Sequence, residues 1–333
     1  MKSLSFRACS ILALLTASGI AQAQDGLIVG VDNAAEPVYL RTAGQWRSLF
    51  DGVEAWGLAG DNSSCTLYIS AGFELYRFRR GDSSPTLVGP FTDTVTQSNI
   101  SIQGLLWSNG ALYGTRTTSS GGVVEGFYQI NVANGDCQLV LATSLDLDLS
   151  GCDTDPATGT IYALSDTSAL NPAAPGLYRV TFDQNPPVRL ADYRAAAQWP
   201  GRGSTADVDG LAVGDGRAFM IVDEPGEFAV YNLATSAYET NLDSPWTTSN
   251  TFSAVAWTPC FTRPGCIADV DDGTGTGTPD GGVTIDDLIY YLGIYSDGNS
   301  AADVDDGTGT GVPDGGVTID DLLYFLFRYG EGC

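Results

Sequence analysis

Two nearly identical acidic segments occupy the C-terminal part of the chain. Residues 268–292 read ADVDDGTGTGTPDGGVTIDDLIYYL, and residues 302–326 repeat them almost unchanged. Both contain an Asp-Val-Asp triplet, a Gly/Thr run and the sequence Asp-Gly-Gly-Val-Thr-Ile-Asp-Asp-Leu. A hard divalent cation such as Ca²⁺ needs roughly six to eight oxygen ligands, held by a loop with a sharp glycine turn. The segments therefore predict two calcium-binding loops, each followed by a helix.

An EF-hand-type loop can be placed on each copy. In the first copy the ligand positions fall, in order, on Asp269, Asp271, Asp280, Gly282 through its carbonyl, Thr284 and Asp287. In the second copy they fall on Asp303, Asp305, Asp314, Gly316, Thr318 and Asp321. Residues 272–279 stand where a standard loop has a single residue, so the assignment of Asp280 and Asp314 requires this insertion to bulge outward. The alternative is a solvated acidic loop without metal.

Apolar residues follow each loop at helical spacing and predict two short amphipathic helices. They are Ile285, Leu288, Ile289 and Leu292 in one copy, and Ile319, Leu322, Leu323 and Leu326 in the other. A duplicated loop-helix unit closing with Asp and Leu resembles the dockerin family. More narrowly, it is similar to dockerin-like modules of secreted bacterial proteins that begin with Cys before Ala-Asp and end in Gly-Cys. Here these residues are Cys266 to Asp269 and Gly332-Cys333.

The resemblance covers residues 266–333 and implies a calcium-dependent docking module with two Ca²⁺ sites. Its partner would be a cohesin-like or other anchoring protein. The resemblance also implies that Ile285-Asp286 and Ile319-Asp320 help to form the docking face, and that a Cys266–Cys333 disulfide closes the module. Because the two faces carry the same residues, we expect the partner to bind in either of two orientations.

The chain begins with features of a secretory signal peptide. Lys2 and Arg7 precede an apolar run over residues 11–20, and Ala21-Gln22-Ala23 is a small-residue cleavage pattern. We predict cleavage after Ala23 and export of the protein, and no other stretch is long enough to span a membrane. In an oxidising compartment disulfides are the default. Three pairings are open for the remaining cysteines, which are Cys65, Cys137, Cys152 and Cys260.

Composition excludes several functions. The formal net charge is −25, so nucleic acid is not expected as a partner, since phosphate binding needs a basic face. The chain has no histidine. This excludes Ser-His-Asp and Cys-His catalysis and histidine-ligated zinc.

Residues 24–258 contain a looser repeat of four strands. Each full unit begins with a glycine-containing apolar strand, and the leading glycines are Gly57, Gly104, Gly151 and Gly210. Four strands per repeat are typical of propeller blades. Residues 252–258 form an unpaired first strand that can join the three strands near the N-terminus as a fifth blade. We therefore predict a mainly β fold, a five-bladed β-propeller closed by its N- and C-terminal strands, followed by a linker at 259–265 and a small α module. A two-sheet sandwich is the alternative.

Acidic residues precede the leading glycines, where the mouth of the propeller is expected. They are Glu54, Asp148, Asp207 and Asp209. Such a mouth could bind a cation or a carbohydrate, or hydrolyse a glycoside with paired carboxyls; alternatively, the acids simply face solvent. Two functions follow. The first is a secreted propeller that presents a recognition surface and is anchored by its calcium module. The second is an anchored carbohydrate-active hydrolase. We prefer the first, because the propeller shows no catalytic motif.

Overall fold

The computed structural model describes residues 26–42, 44–117, 122–143, 149–165, 176–191, 208–222, 227–246, 253–262, 267–279, 283–309 and 311–331. Among these residues, strands occur up to residue 257, and two α-helices lie near the C-terminus. The described strands belong to five separate sheets of four or five strands each.

The strands follow one another in chain order, blade by blade. The first three are β1 (Leu27–Val31), β2 (Val38–Thr42) and β3 (Gln45–Phe50). The second blade contains β4 (Gly57–Asp61), β5 (Thr66–Ser70), β6 (Glu74–Arg79) and β7 (Thr86–Pro90). The third contains β8 (Thr92–Asp93), β9 (Leu105–Ser108), β10 (Ala111–Arg116), β11 (Gly126–Ile130) and β12 (Asp136–Ala142).

The remaining strands complete the fourth, fifth and first blades. The fourth blade contains β13 (Cys152–Thr154), β14 (Ile161–Ser165), β15 (Gly176–Thr181) and β16 (Gln184–Ala191). The fifth contains β17 (Val208–Gly214), β18 (Arg217–Val222), β19 (Glu227–Asn232), β20 (Ala237–Tyr238) and β21 (Leu242–Asp243). The last strand is β22 (Ser253–Trp257).

The ring is closed by the two ends of the domain. β22 pairs antiparallel with β1 over its full length, from Leu27 opposite Trp257 to Val31 opposite Ser253. The first blade therefore has the order β22-β1-β2-β3. This confirms the predicted five-bladed propeller and its closure, and the two-sheet sandwich is wrong. Closure of this kind pairs two strand edges that would otherwise be open to other chains.

The apolar core lies between neighbouring blades. One cluster joins the first and second blades through Ile28, Leu58 and Leu67, and another joins the third and fourth through Phe127 and Ala163. Each sheet thus packs its faces against the next sheet around the ring, because side chains alternate between the two faces of a strand. The innermost strands β22, β4, β9, β13 and β17 are thereby held around a common axis.

The leading glycines allow the innermost strands to approach each other closely. A Cβ atom on Gly57 would overlap the carbonyl oxygen of Gln103, and one on Gly104 would overlap that of Ser150. Backbone therefore lies directly against backbone at this end of the axis. The cavity that remains there is only about 10 Å³, enough for roughly one water molecule.

One disulfide fastens the end of the propeller to its second blade. Cys65 is bonded to Cys260, across a sequence separation of 195 residues. Cys260 lies in a 3₁₀ helix at Pro259–Thr262, where Phe261 is also buried. Residues 259–262, assigned to the linker from the sequence, thus pack on the propeller. A crosslink closing so long a loop stabilises a fold by roughly 2–5 kcal/mol.

Two other cysteines are not paired. Cys137 and Cys152 are buried free thiols, which corrects the expectation that all four propeller cysteines form disulfides. The reason is topological, since Cys137 is on β12 at the outside of the third blade and Cys152 is on β13 at the axis. Burial raises the pKa of the Cys137 thiol to about 12, so this thiol is not reactive at neutral pH. The predicted Cys266–Cys333 bond lies outside the described residues.

The C-terminal residues form two helices, α1 (Ile285–Ser296) and α2 (Ile319–Glu331), with a 3₁₀ turn at Ser300–Ala302 between them. Tyr291 of α1 stacks on Phe325 of α2 with ring centroids 3.6 Å apart, and both side chains are fully buried. None of the described helices is both long enough and apolar enough to cross a membrane.

The predicted helices are present, but their inward face differs from the predicted one. Ile285, Ile289 and Leu292 are 57%, 63% and 42% exposed, whereas Tyr291 is buried. The sequence pattern placed all four apolar residues of each copy on a single buried face. The buried side of each helix is instead the adjacent side that carries Tyr291 or Phe325, because these stacked aromatic rings fill the space between the helices.

Candidate functional site

The last aspartate of each acidic loop ties the loop to the following helix. Asp287 Oδ1 accepts hydrogen bonds from the amides of Val270 (2.6 Å) and Asp271 (2.9 Å), and Oδ2 accepts one from the amide of Thr284 (2.7 Å). Thr284 is the N-cap of α1 and forms a capping box with Asp287. One fully buried carboxylate thus fixes both the loop and the helix start.

The second copy repeats this arrangement atom by atom. Asp321 accepts hydrogen bonds from the amides of Val304 (2.6 Å), Asp305 (2.9 Å) and Thr318 (2.7 Å). Burial acts to raise the pKa of Asp321, but these backbone donors outweigh it and hold that pKa below its usual value. The carboxylate is therefore charged at neutral pH, as a cation ligand must be.

The Gly/Thr insertion is wrapped around an aspartate rather than bulged outward. The Asp271 carboxylate accepts hydrogen bonds from the amides of Gly273 (3.0 Å), Gly275 (2.9 Å) and Gly277 (2.8 Å). These three glycines have φ values of 84°, 73° and 77°, a conformation that glycine adopts without strain. Alternating glycines thus turn successive amides toward one anion, as in an anion-binding nest. The Gly-Thr alternation is the sequence signal of this wrap, whereas the expectation was an insertion that bulges outward.

The same wrap surrounds Asp305 in the second copy, through Gly307, Gly309 and Gly311. For Asp271, burial acts to raise the pKa, but the backbone N–H groups outweigh it and lower the pKa. The backbone N–H of Thr276 is a fourth donor to Asp271. A carboxylate has about four lone-pair positions, so Asp271 could bind a metal ion only by releasing one of these hydrogen bonds.

The first aspartate of the second loop is hydrogen-bonded to the glycine turn of the same loop. Asp303 Oδ1 accepts the amide of Asp314 (3.1 Å), and Oδ2 accepts the amide of Gly315 (2.7 Å). Gly315 has φ of 95°, as expected for a sharp turn. These bonds bring the predicted ligands Asp303 and Asp314 to the same part of the loop. In the first copy, Asp280 and Gly282, the counterparts of Asp314 and Gly316, lie outside the described residues.

The donor set of both loops consists of oxygen atoms only, from carboxylates, carbonyls and the hydroxyls of Thr284 and Thr318, and this chemistry fits calcium. Asp303 and Asp314, with the carbonyl of Gly316, are the residues that would hold an ion in the second loop. Asp321 would join them only by releasing one of the four hydrogen bonds that it accepts from the amides of Val304, Asp305 and Thr318 and from the Thr318 hydroxyl. Within the residues that the structure describes, no three Asp, Glu, His or Cys side chains are arranged closely enough to hold a metal. Calcium binding therefore stays a prediction.

The two loops differ in their contact with the propeller. In the first loop, Asp269 Oδ2 lies 3.4 Å from Arg80 Nη2, and the Asp269 side chain is only 2% exposed. Arg80 also donates from Nη1 to the carbonyl of Cys260 (3.2 Å), next to the disulfide. The corresponding residue of the second loop, Asp303, instead bonds within its own loop. A propeller side chain thus engages the first predicted ligand of the first loop.

This asymmetry predicts that Arg80→Gln raises the calcium affinity of the first loop by about threefold and leaves the second unchanged. The guanidinium competes with the cation for Asp269, and such an ion pair contributes about 0.2–1 kcal/mol. Isothermal titration calorimetry of the full-length protein would resolve the two sites. Arg79→Gln, which changes an exposed neighbour, is the control. Equal effects of the two substitutions would contradict the competition.

The acidic residues predicted at the propeller mouth are only partly described. Glu54 is exposed and accepts a hydrogen bond from Trp56 Nε1 (3.1 Å), whereas Asp209 on β17 is 5% exposed. Asp148 and Asp207 lie outside the described residues. The structure thus places one of these acids on the surface and one in the interior, and the predicted mouth site stays a prediction.

A larger cavity lies at the opposite end of the axis, where the innermost strands finish. Its volume is about 340 Å³, and its lining includes Trp107, Asp153 and Trp257. The described acidic residues before the leading glycines lie at the other end of the innermost strands and therefore do not indicate this cavity. The signal that could have revealed it is the Asp or Asn that follows the innermost strands, as at Asn62, Asn109 and Asp155.

Asp153 links two neighbouring blades at this cavity. Its Oδ2 accepts the amide of Val213 on β17 (2.7 Å), and its Oδ1 accepts the amide of Thr154 (2.8 Å). Burial raises the pKa of the Asp153 carboxyl to about 8, although these two amides act in the opposite direction. The side chain is therefore mostly protonated at neutral pH.

This pKa predicts that the propeller becomes less stable between pH 5 and pH 8. Because the folded state binds the Asp153 proton more tightly than the unfolded state, the stabilisation is complete below the ordinary aspartate pKa and is lost as pH rises toward about 8. The slope is at most about 1.4 kcal/mol per pH unit. With no histidine in the chain, few other side chains change charge in this range.

Urea denaturation at a series of pH values measures this slope. Asp153→Asn cannot ionise, so the variant is expected to lose most of the pH dependence. Asp51→Asn, at an exposed propeller carboxyl, is the control that should retain it. A wild-type protein of constant stability over this range would disprove the assignment.

Comparisons with known proteins give no family. No protein-family model matches the chain, and no curated protein matches it. Among solved structures, a chain of the nidogen/laminin complex is 11% identical with a TM-score of 0.45, covering 69% of this chain and 97% of that one. Apo AztD from Citrobacter koseri is 12% identical with a TM-score of 0.32, covering 69% of this chain and 60% of that one. At these values neither similarity carries an argument about function.

Proposed function

We propose that the protein is a secreted β-propeller recognition protein, anchored to a partner by a calcium-dependent docking module at residues 266–333. The module binds two Ca²⁺ ions through its duplicated loops. The partner is a cohesin-like or other anchoring protein in an extracellular assembly.

The exposed apolar side chains of the two helices carry this proposal. Three equivalent positions in each helix point away from the small core. They are Ile285, Ile289 and Leu292 in α1, with exposed fractions of 57%, 63% and 42%, and Ile319, Leu323 and Leu326 in α2, with 58%, 58% and 40%. Solvent-exposed apolar groups of this size are typical of interaction surfaces.

Duplication makes the two surfaces equivalent. Asp286 and Asp320 are both exposed and stand next to Ile285 and Ile319, so each helix offers the same apolar and acidic pair at its N-terminus. The aspartates of the preceding loop hold that N-terminus in place through the capping box. Calcium would act through the loop, because it orders the residues that position the helix.

A pull-down with the full-length protein tests the proposal. Immobilised protein is mixed with the exported proteins of the producing organism, with calcium or with a chelator, and the captured protein is identified by mass spectrometry. Capture is expected only with calcium. Ile285→Ala or Ile319→Ala alone should weaken binding little, and the two together should abolish it.

Val95→Ala, at an apolar propeller residue that is 82% exposed, is the matched control and should bind normally. Capture that is unchanged by chelator, or that survives the double substitution, would refute a calcium-dependent docking face. Loss of binding with Ile285→Ala alone would refute the duplicated faces.

A further inference from the structure

The cavity at the end of the innermost strands has the size and position of a ligand site. Four of the five blades line the cavity, whose volume is about 340 Å³. The lining residues are 60–63, 107–110, 153–156, Gly159 and Trp257. Small-molecule sites have volumes of roughly 300–1,000 Å³. The opposite end of the axis is closed by the leading glycines, so this is the larger of the two axial cavities in the described part of the chain.

Two indole rings with fixed orientations line the cavity. Trp107 stacks on Tyr68, with ring centroids 5.4 Å apart and an angle of 12°. The ring of Trp257 lies against Gly214, where an added Cβ would overlap it. One face of each indole is therefore covered by the protein, and both residues line the cavity. Rigid aromatic surfaces of this kind pack well against apolar faces of a ligand at low entropic cost.

The polar groups of the cavity are mostly neutral or already engaged. Asp61 accepts hydrogen bonds from Ser63 and Ser64, and Asp155 accepts them from Ala157 and Thr158, so both carboxylates stabilise their own turns. The third carboxyl, that of Asp153, is bound to backbone amides. The amides and hydroxyls of Asn62, Asn109, Ser63 and Ser108 complete the lining. These groups can both donate and accept hydrogen bonds.

Two lining residues have buried polar atoms with no hydrogen-bond partner in the described part of the chain. They are Trp257 Nε1, which can only donate, and Thr154 Oγ1, which can do both. A buried polar atom without a hydrogen-bond partner costs free energy, so a water molecule, an ion or a ligand is expected to bind there. A metal ion or an ammonium group cannot accept from the indole N–H, whereas a hydroxyl group can satisfy both atoms.

We propose that this cavity binds a neutral carbohydrate, with the indoles of Trp107 and Trp257 against the sugar ring and with Thr154 and Trp257 Nε1 bonded to its hydroxyl groups. The inference deepens the recognition role of the proposed function by naming a ligand class. It involves no residue of the calcium module. Sugar binding is therefore independent of calcium and of docking.

Titration of the full-length protein with neutral oligosaccharides tests the inference. The probes are soluble oligosaccharides of glucose, xylose, mannose and N-acetylglucosamine, with trilysine as a cationic probe, all in the presence of chelator. Calorimetry is expected to detect at least one neutral sugar and not trilysine. Trp257→Phe, which keeps a ring but removes the N–H, and Thr154→Val should each lower the affinity about tenfold.

Trp56→Phe is the matched control, because it removes the indole N–H that bonds Glu54 at the other end of the propeller. Near-ultraviolet circular dichroism shows whether each variant is folded, and Asn62→Ala provides a second test if Trp257→Phe is not. A sugar affinity that falls equally in Trp56→Phe would overturn the location. Binding of trilysine alone, or of no probe, would overturn the ligand class. Sugar binding in chelator together with failed docking would refute only the anchoring role.

Discussion

Chelation of calcium from the full-length protein is expected to unfold residues 267–331 while the propeller stays folded. The module has a small core, in which the fully buried side chains are Ala268, Tyr291, Ala302 and Phe325. Such a core hardly offsets the chain entropy lost on folding. The aspartates of each loop also repel one another when no cation is bound. Metal binding must then supply folding free energy.

The size of this effect follows from linkage. Each site stabilises the folded module by about 2.7 kcal/mol when free calcium is a hundred times its dissociation constant. Two sites therefore contribute about 5 kcal/mol, comparable to the whole stability of a small domain. Calorimetry of the full-length protein should show two transitions with calcium, and chelator should remove only the one that belongs to the module. Far-ultraviolet circular dichroism should show the corresponding loss of helix.

Variants distinguish calcium from a purely structural role of the aspartates. Asp303→Ala should remove the second site, so that calorimetric titration finds one ion fewer. Asp297→Ala is the control, because Asp297 is an exposed C-terminal cap of α1 outside both loops. Full helix content in chelator, or no calcium binding at all, would contradict this prediction. The carboxylates would then have only the structural role of accepting hydrogen bonds from the backbone amides.

Gly104→Ala is expected to destabilise the propeller by about 3 kcal/mol or more. The new Cβ would overlap the carbonyl oxygen of Ser150 and lie 2.7 Å from Thr115 Oγ1 and 3.1 Å from Cys152 Sγ. The amide of Gly104 also donates to Thr115 Oγ1 (3.0 Å), which holds the strand in this position. A backbone carbonyl cannot rotate away as a side chain can. The two inner strands must separate, and the ring of blades must widen with them.

Urea denaturation followed by tryptophan fluorescence measures this loss. Gly293→Ala in α1 is the matched control, since its added Cβ meets no atom within 4 Å and its φ is not positive. That change should be neutral or stabilising by up to about 1 kcal/mol, through helix propensity. Equal stability of Gly104→Ala and the wild-type protein would show that the inner strands do not need close backbone contact.

Several features could be predicted from the sequence because they depend on local repetition. The spacing of Gly57, Gly104 and Gly151 marks equivalent strands, so the blade count and the closure by β22 follow from the chain order. The helices after the acidic loops follow from the periodicity of the apolar residues. The positions of these strands and helices depend only on short segments of chain, and the structure has them at the predicted positions.

Other features required the tertiary structure, because they depend on segments that are distant in the sequence. The pairing of Cys65 with Cys260 follows from which segments are neighbours in space. The separation of Cys137 from Cys152 follows from their places on an outer and an innermost strand. The stacking of Tyr291 on Phe325 determines which side of α1 is buried. The axial cavity is formed by turns from four blades, whose side chains meet only when the ring is closed. In each case the deciding contact joins residues that no local pattern connects.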